Sequence, residues 1–331
     1  MKLRAVTIFY VSEDPDKLVY YIDSLRKIND EVVWTKRIAF PPEVKDVEKK
    51  ISQIPSNNDV IYSVLHLRAK NDLKKIMDIL STSDSFYASI LLNESKYVDD
   101  VASFLASLEP EMATRVAVLI NEDFLVTPYF PVGSANTITD SLSSSLIYVS
   151  EFRENRAERA LSFADEYSKK LSKELKVRYL GLDVSLSPWM DESVGKVIEE
   201  ESNEKLFSIG QLSVVAELNK RLFDLAWKLK ITPIGFSEVM LPVAEDNLLK
   251  ERVKEGSLTL SSLMALTTVC VAGLDMVVVR RDKELYRKIL RDAMSIQFVK
   301  RRPYGIRIIP SEGGGEIYLK EYGKISEIKT I

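Results

Sequence analysis

The chain has 331 residues, with 46 Lys and Arg against 49 Asp and Glu and a formal net charge of -3. This balance, without a basic stripe, excludes the electrostatic footprint of a nucleic-acid binder. No apolar run reaches the ~20 residues that a membrane span needs. One cysteine, Cys270, and one histidine, His66, exclude an internal disulfide, a cysteine-based zinc cluster and a two-histidine metal site within one chain.

The opening "MKLRAVTIFYVSEDP" interrupts its apolar stretch at Thr7 and closes on acidic residues. That is the pattern of a strand entering a helix cap and not of a signal peptide, so a cytoplasmic location is expected. Strand-like runs follow at 3–11, 31–40, 60–67, 86–93, 115–121, 126–131, 177–187, 235–243, 271–279 and 304–310. Between them lie helical patterns. Asp14 and Pro15 supply a cap and a first-turn proline, and Leu18, Tyr21, Ile22 and Leu25 form the buried stripe of the first helix. Further helices are expected at 42–54, 69–81, 96–108, 154–175, 192–201, 208–229, 257–268 and 282–295. The "TITDSLSSSLIYVSEF" portion of 133–156 reads as a small-residue helix and not as a linker, so 1–331 is expected to be a single domain. Alternation of strand and helix points to an α/β fold with a largely parallel sheet.

"GLDVSLSPW" raises a question about that sheet. Leu180, Leu182, Val184 and Leu186 alternate with Gly181, Asp183, Ser185 and Ser187. In an open sheet covered on both faces, such a stripe would bury Asp183, and likewise Glu238 or Asp275, at a cost of several kcal/mol unless paired. In a closed barrel the same face looks into a lumen. The expectation is therefore a closed ten-stranded α/β barrel with its helices outside.

The candidate chemistry lies on that inner face, and each residue has two readings. Asp183, Ser185 and Ser187 offer an acceptor and two hydroxyls to a polar ligand, or else anchor a strand end and its turn. Glu238 shares a face with Phe236, Met240 and Pro242. Desolvation would raise its pKa and suit it to general acid or base work; otherwise it forms a salt bridge, with Arg307 as the candidate partner. Both readings hold if that pair clamps an anionic substrate. Glu245 and Asp246 read first as an acidic opening to the next helix, favoured by its dipole. With Asp183 and Asp275 they would also make an oxygen-ligand set for Mg²⁺. Cys270 between valines reads as a core residue. His66 is a general base or a structural strand-end histidine. "PSEGGGE" (310–316) reads as a flexible turn that could gate the lumen, because it lacks the spacing of a nucleotide fingerprint.

Three blocks carry a resemblance: "YLGLDVSLSPWMDESVGKVIEE", "IGFSEVMLPVAEDNLLKERVKEGSLTLSSLMALTTVCVAGLDMVVV" and "IRIIPSEGGGEI". Strong over 177–317 and thin before about 125, the chain resembles the uncharacterised family known as domain of unknown function 711. The resemblance implies a fold similar to the pyruvate formate-lyase and anaerobic ribonucleotide reductase barrels, with two parallel half-barrels set antiparallel. It implies no activity, and it suggests a small ACT-type amino-acid-binding protein as a partner. Relatives carry a histidine after the "YFP" block and a cysteine in the first half; this chain has "YFPVGSANTI" and "FYASILLNES" there. Glycyl-radical chemistry is argued against, since it needs a radical glycine and a relay cysteine, and "RPYGIRIIP" matches that motif only superficially. Two functions remain open. The first is an enzyme that binds a small polar or anionic metabolite in the lumen, with Asp183, Glu238, Asp275 and His66 for acid–base or metal-assisted chemistry, and Ser185, Ser187, Met240 and Arg307 for substrate. The other is a non-catalytic binding or regulatory member that has lost reactive residues. A homodimer is the default for an enzyme of this size.

Overall fold

The computed structural model describes residues 2–55, 59–269 and 273–331; Cys270 lies outside the described residues. Its strands are β1 (Lys2–Phe9), β2 (Val33–Ala39), β3 (Val60–Arg68), β4 (Phe86–Leu91), β5 (Val116–Ile120), β6 (Ser141–Ile147), β7 (Arg178–Asp183), β8 (Gly273–Arg280) and β9 (Tyr304–Ser311). They form one nine-stranded sheet in the order β7-β6-β1-β2-β3-β4-β5-β9-β8. A small separate hairpin follows, from β10 (Glu316–Leu319) and β11 (Gly323–Ser326).

Direction follows from the connections. Helical crossovers link β1 through β5, and such connections return the chain parallel, as all four pairings show. β6 and β9 pair antiparallel with β1 and β5. β7 and β8 then pair parallel with β6 and β9. The sheet is thus two parallel sets of opposite direction. β5, Val-Ala-Val-Leu-Ile, is buried throughout, the expected pattern for a parallel strand covered on both faces.

Three expectations change. Residues 141–147 are a strand and not part of a helix. Ser141, Ser143 and Ser145 face one way, Leu142 and Leu146 the other, and the hydroxyl of Ser144 meets Ser168 of the helix Ala157–Glu174. Its period is 2, but serine has little strand preference. Residues 126–131 are not a strand. Pro128 and Pro131 lack the N–H that a central ladder needs, and the segment instead fills the interior. Residues 235–243 form no named strand either. Gly235 and Ser237 sit at positive φ, +64° and +52°, and the neighbourhood pairs with the end of β7 and the residues after it through two isolated parallel bridges, Leu182–Pro233 and Leu186–Val239. Gly235 is required there, because a Cβ would run into the carboxylate of Asp183 and the side chain of Thr127.

The buried segment around 124–135 acts as an internal plug. Phe124, Tyr129 and Val132 pack with Leu91, Leu119 and Met240, while Phe130 and Ala135 pack with Phe9 and Ala39. Side chains and strand ends satisfy its backbone. Arg37 donates to the Pro128 carbonyl at 3.0 Å, Ser63 donates to Pro131 O at 3.0 Å, and Ala135 N donates to Phe40 O at 2.9 Å. Among the described residues no helix is long and apolar enough to cross a membrane.

β7 and β8 are the edges of the sheet and do not pair with each other among the described residues. The sheet nevertheless curls. β1 and β9 stand five places apart in its order, about 24 Å in a flat sheet at ~4.8 Å per strand. Arg4 of β1 and Arg307 of β9 nonetheless hydrogen-bond one carboxylate, Glu245.

Candidate functional site

Two irregularities in strand pairing aim the charged side chains. The β1–β6 register shifts between Leu3 and Ala5, at Arg4. The β8–β9 register shifts between Leu274 and Val277, at Asp275. Bulges of this kind re-aim a side chain. Arg307 donates from Nε to Asp275 Oδ1 at 2.5 Å and from Nη2 to Asp275 Oδ2 at 2.8 Å. The same Nη2 donates to Glu245 Oε1 at 2.9 Å, and Arg4 Nη2 holds Glu245 Oε2. Arg4 Nη1 also reaches Ser187 Oγ at 2.6 Å and Pro188 O at 2.7 Å. Its guanidinium lies 5.6 to 5.8 Å from the ring centres of Trp34, Tyr129 and Trp189, within cation–π range.

Electrostatics sort these groups. Burial pushes the Glu245 carboxyl up, but the guanidiniums of Arg4 and Arg307 outweigh it and hold the group below its ordinary range. Arg4 and Arg307, penalised by burial, are held above theirs by Glu245 and Asp275. Two cations and two anions thus close on themselves.

Arg37 does not join them. It lies on β2 and is 8% exposed. Its bonds go to neutral groups: Nε donates to Thr35 Oγ1 at 2.9 Å and Nη1 to Pro128 O at 3.0 Å. Burial, and then repulsion from Arg4, push its guanidinium down to about 10. Lys36, the adjacent residue, points to the other face and meets Asp30 and Asp59, both at 2.8 Å. Among the described residues Arg37 has no such carboxylate.

Arg37, Arg4, Arg307, Glu245 and Asp275 line one cavity of about 170 Å³. Trp34, Tyr87, Phe130, Trp189 and Tyr322 supply aromatic wall, with Trp34 and Trp189 edge to face at 4.3 Å. Glu321 and Tyr322, in the turn between β10 and β11, border it as well. Ligand pockets for drug-sized molecules run from about 300 Å³ upward, so this one suits a smaller molecule. The triple glycine leads from β9 to that hairpin.

Of the residues singled out from sequence, Ser187, Met240, Glu245, Asp275 and Arg307 meet at this cavity. Asp183 does not line it. Its carboxylate accepts from Ser185 N and Oγ at 3.1 and 2.5 Å, from Phe236 N and Ser237 N at 3.0 Å each, and from Thr127 Oγ1 at 3.0 Å. Ser185 is therefore spent on Asp183. Burial raises the Asp183 carboxyl despite these donors. The pairing expected between Glu238 and Arg307 is not formed. Glu238 meets Arg302 at 2.7 Å and Lys300 at 3.9 Å, because the bulge at Asp275 gives Arg307 a nearer partner.

His66 lies in the body of β3, fully buried, with Nδ1 2.7 Å from Ser89 Oγ. Burial pushes its imidazole down to about 3, which leaves it neutral and weakly basic at pH 7. Asp246 caps the helix Asn247–Glu255, accepting from Leu248 N and Leu249 N, and also holds Gly195 N. Among the described residues no group of three or more His, Cys, Asp and Glu side chains converges on a metal position. Sequence reasoning missed Arg4, Arg37, Trp34 and Glu321. Arg4 and Arg37 did leave a trace, Arg4 as a lone cation among the apolar residues of "LRAVTIF" and Arg37 as the second of two adjacent cations in "VWTKRIA".

Comparison with known proteins places the chain in context. The family model described as Uncharacterised ACR (DUF711) matches residues 127–318. That range holds most of the plug, Ser187, Glu245, Asp275 and Arg307, whereas Arg4, Trp34 and Arg37 precede it. A UPF0210 protein of Methanosarcina acetivorans is 31% identical over 186 residues, 55% of this chain and 40% of that protein. One from Clostridium acetobutylicum is 28% identical over 287 residues, 76% of this chain and 64% of the relative. Another, from Pyrobaculum aerophilum, is 28% identical over 257 residues, 68% and 56% of the two chains. The chain thus spans 40% to 64% of the length of these relatives. None of their names states an activity.

Proposed function

Because the chain belongs to the Uncharacterised ACR (DUF711) family, whose description names no reaction, we propose its function from the cavity itself: it binds a small anionic metabolite. The observation that carries this reading is Arg37. A buried cation costs several kcal/mol unless an opposite charge meets it, and only neutral acceptors do so here. An anionic group entering the cavity supplies what is missing, and a planar guanidinium suits a carboxylate or phosphate. Aromatic walls cover the apolar remainder of a small ligand.

Acid–base catalysis draws less support than binding. Asp275 and Glu245 are taken up by guanidiniums, Asp183 by its hydrogen-bond donors, and Glu238 by Arg302. The convergence of β1 and β9 on Glu245, with Asp275 of β8 on the same Arg307, supports a further reading of the fold, a barrel completed by residues 233–241 as a tenth, irregular stave beside β7. Five staves would then run each way.

Thermal unfolding with formate, acetate, propionate and phosphate, each over a concentration series, tests the function. Wild-type protein is expected to gain stability with at least one of these anions, by about 2.7 kcal/mol at a hundred times its Kd. Arg37→Met is expected to gain none. Equal stabilisation of both proteins would remove the reading.

A further inference from the structure

The charges on the cavity wall are uneven in a way that specifies more than an anion. Three cations and three anions line it: Arg4, Arg37 and Arg307, with Glu245, Asp275 and Glu321. Four of them close into the network of Arg4, Glu245, Arg307 and Asp275. One charge of each sign is left. Arg37 stands on β2, and Glu321 is exposed in the hairpin turn. Among the described residues Glu321 has neither a cationic partner within ion-pair distance nor a donor hydrogen-bonded to its side chain, and the two leftover groups do not reach each other. A ligand that carried only negative charge would satisfy Arg37 but face Glu321 and Glu245 across a narrow space. One that carried both signs would satisfy both walls.

Resting on the anion-binding reading above, we propose that the ligand is a small zwitterion, with its carboxylate on Arg37 and its ammonium on Glu321. Trp34, Trp189 and Tyr322 border the same space, and their ring faces attract an ammonium as well. A 170 Å³ cavity sets the scale at a few carbon atoms between the charges. Glu321 is then the residue that separates a zwitterion from a simple carboxylate, and the hairpin that bears it determines the spacing read.

Calorimetric titration with matched probes tests this. Glycine, β-alanine and 4-aminobutyrate carry both charges at increasing separation; acetate, propionate and butyrate carry only the negative one. For wild-type protein, one zwitterion is expected to bind about tenfold or more tightly than the carboxylate of equal length, the scale of one charge-assisted hydrogen bond. Glu321→Gln is expected to bring that ratio close to one, and Glu321→Asp to restore part of it at a different spacing. Carboxylates that bind as well as zwitterions to wild-type protein would overturn the inference and leave the anion site standing. Failure of every probe to bind would overturn the inference, and failure of phosphate as well would remove the anion site with it.

Discussion

Asp183 and Arg37 are both charged and buried, and both point to the inner side of the sheet, yet their surroundings differ. Asp183 has a donor for each lone pair it can use, three from backbone N–H groups of Ser185, Phe236 and Ser237 and two from hydroxyls of Ser185 and Thr127. It ties β7, the irregular 233–241 stretch and the plug to one point. Arg37 has two neutral acceptors and a cavity in front of it. Burial by itself therefore does not distinguish structure from function. Unused bonding capacity does.

Substitutions can break that contrast or sharpen it. The largest effect is expected for Asp183→Ala, which strands three buried backbone donors. Chemical denaturation should show a loss of about 4 kcal/mol, and a loss below about 1 kcal/mol would show the hub to be dispensable. Arg307→Ala comes next, because it leaves Asp275 and Glu245 short of counter-charge. About 3 kcal/mol is expected by the same measurement, with Asp275→Asn in the same background recovering part of it.

A pH series reads the network from its other side. Glu245 has a folded pKa below its ordinary 4.5, so its contribution is complete above that value and is lost as pH falls through the folded one. The stability difference between wild type and Glu245→Gln should accordingly shrink from pH 6 towards pH 3; a constant difference would mean that Glu245 is not the charged partner described. The smallest effect has the opposite sign. Without ligand, Arg37→Met is expected to raise stability by about 1 kcal/mol, since it removes a buried charge that has no counter-ion. Destabilisation by that change would place Arg37 with Asp183 among the structural groups.

Much of the frame was legible in the sequence. The apolar runs that became β1 to β5, β8 and β9 announced themselves by composition, and of the polar stripe around Asp183 only Ser187 reaches the cavity. What failed did so for physical reasons. Ser141–Ile147 hid its period of 2 behind serines, whose small side chains pack closely but advertise no strand. The 126–131 stretch looked like a strand because Val126, Tyr129 and Phe130 are apolar, but its prolines suit a plug. In the site, Arg307 and Asp275 were noticed and Arg37 was not, because Arg37 follows Lys36 directly and the pair reads as an ordinary solvated couple. Pairwise convergence across strands far apart in sequence is set by the curl of the sheet, and no local pattern encodes it.

The plug has a consequence for how such a molecule diversifies. Tyr129 and Phe130 line the cavity, and they sit on a stretch that belongs to no strand ladder. Trimming or enlarging those two rings would make the chamber deeper or shallower while the ladders stayed in place. The depth of the chamber is thereby set by a short loop outside the ladders, which Pro128 O, Pro131 O and Thr127 moor to them.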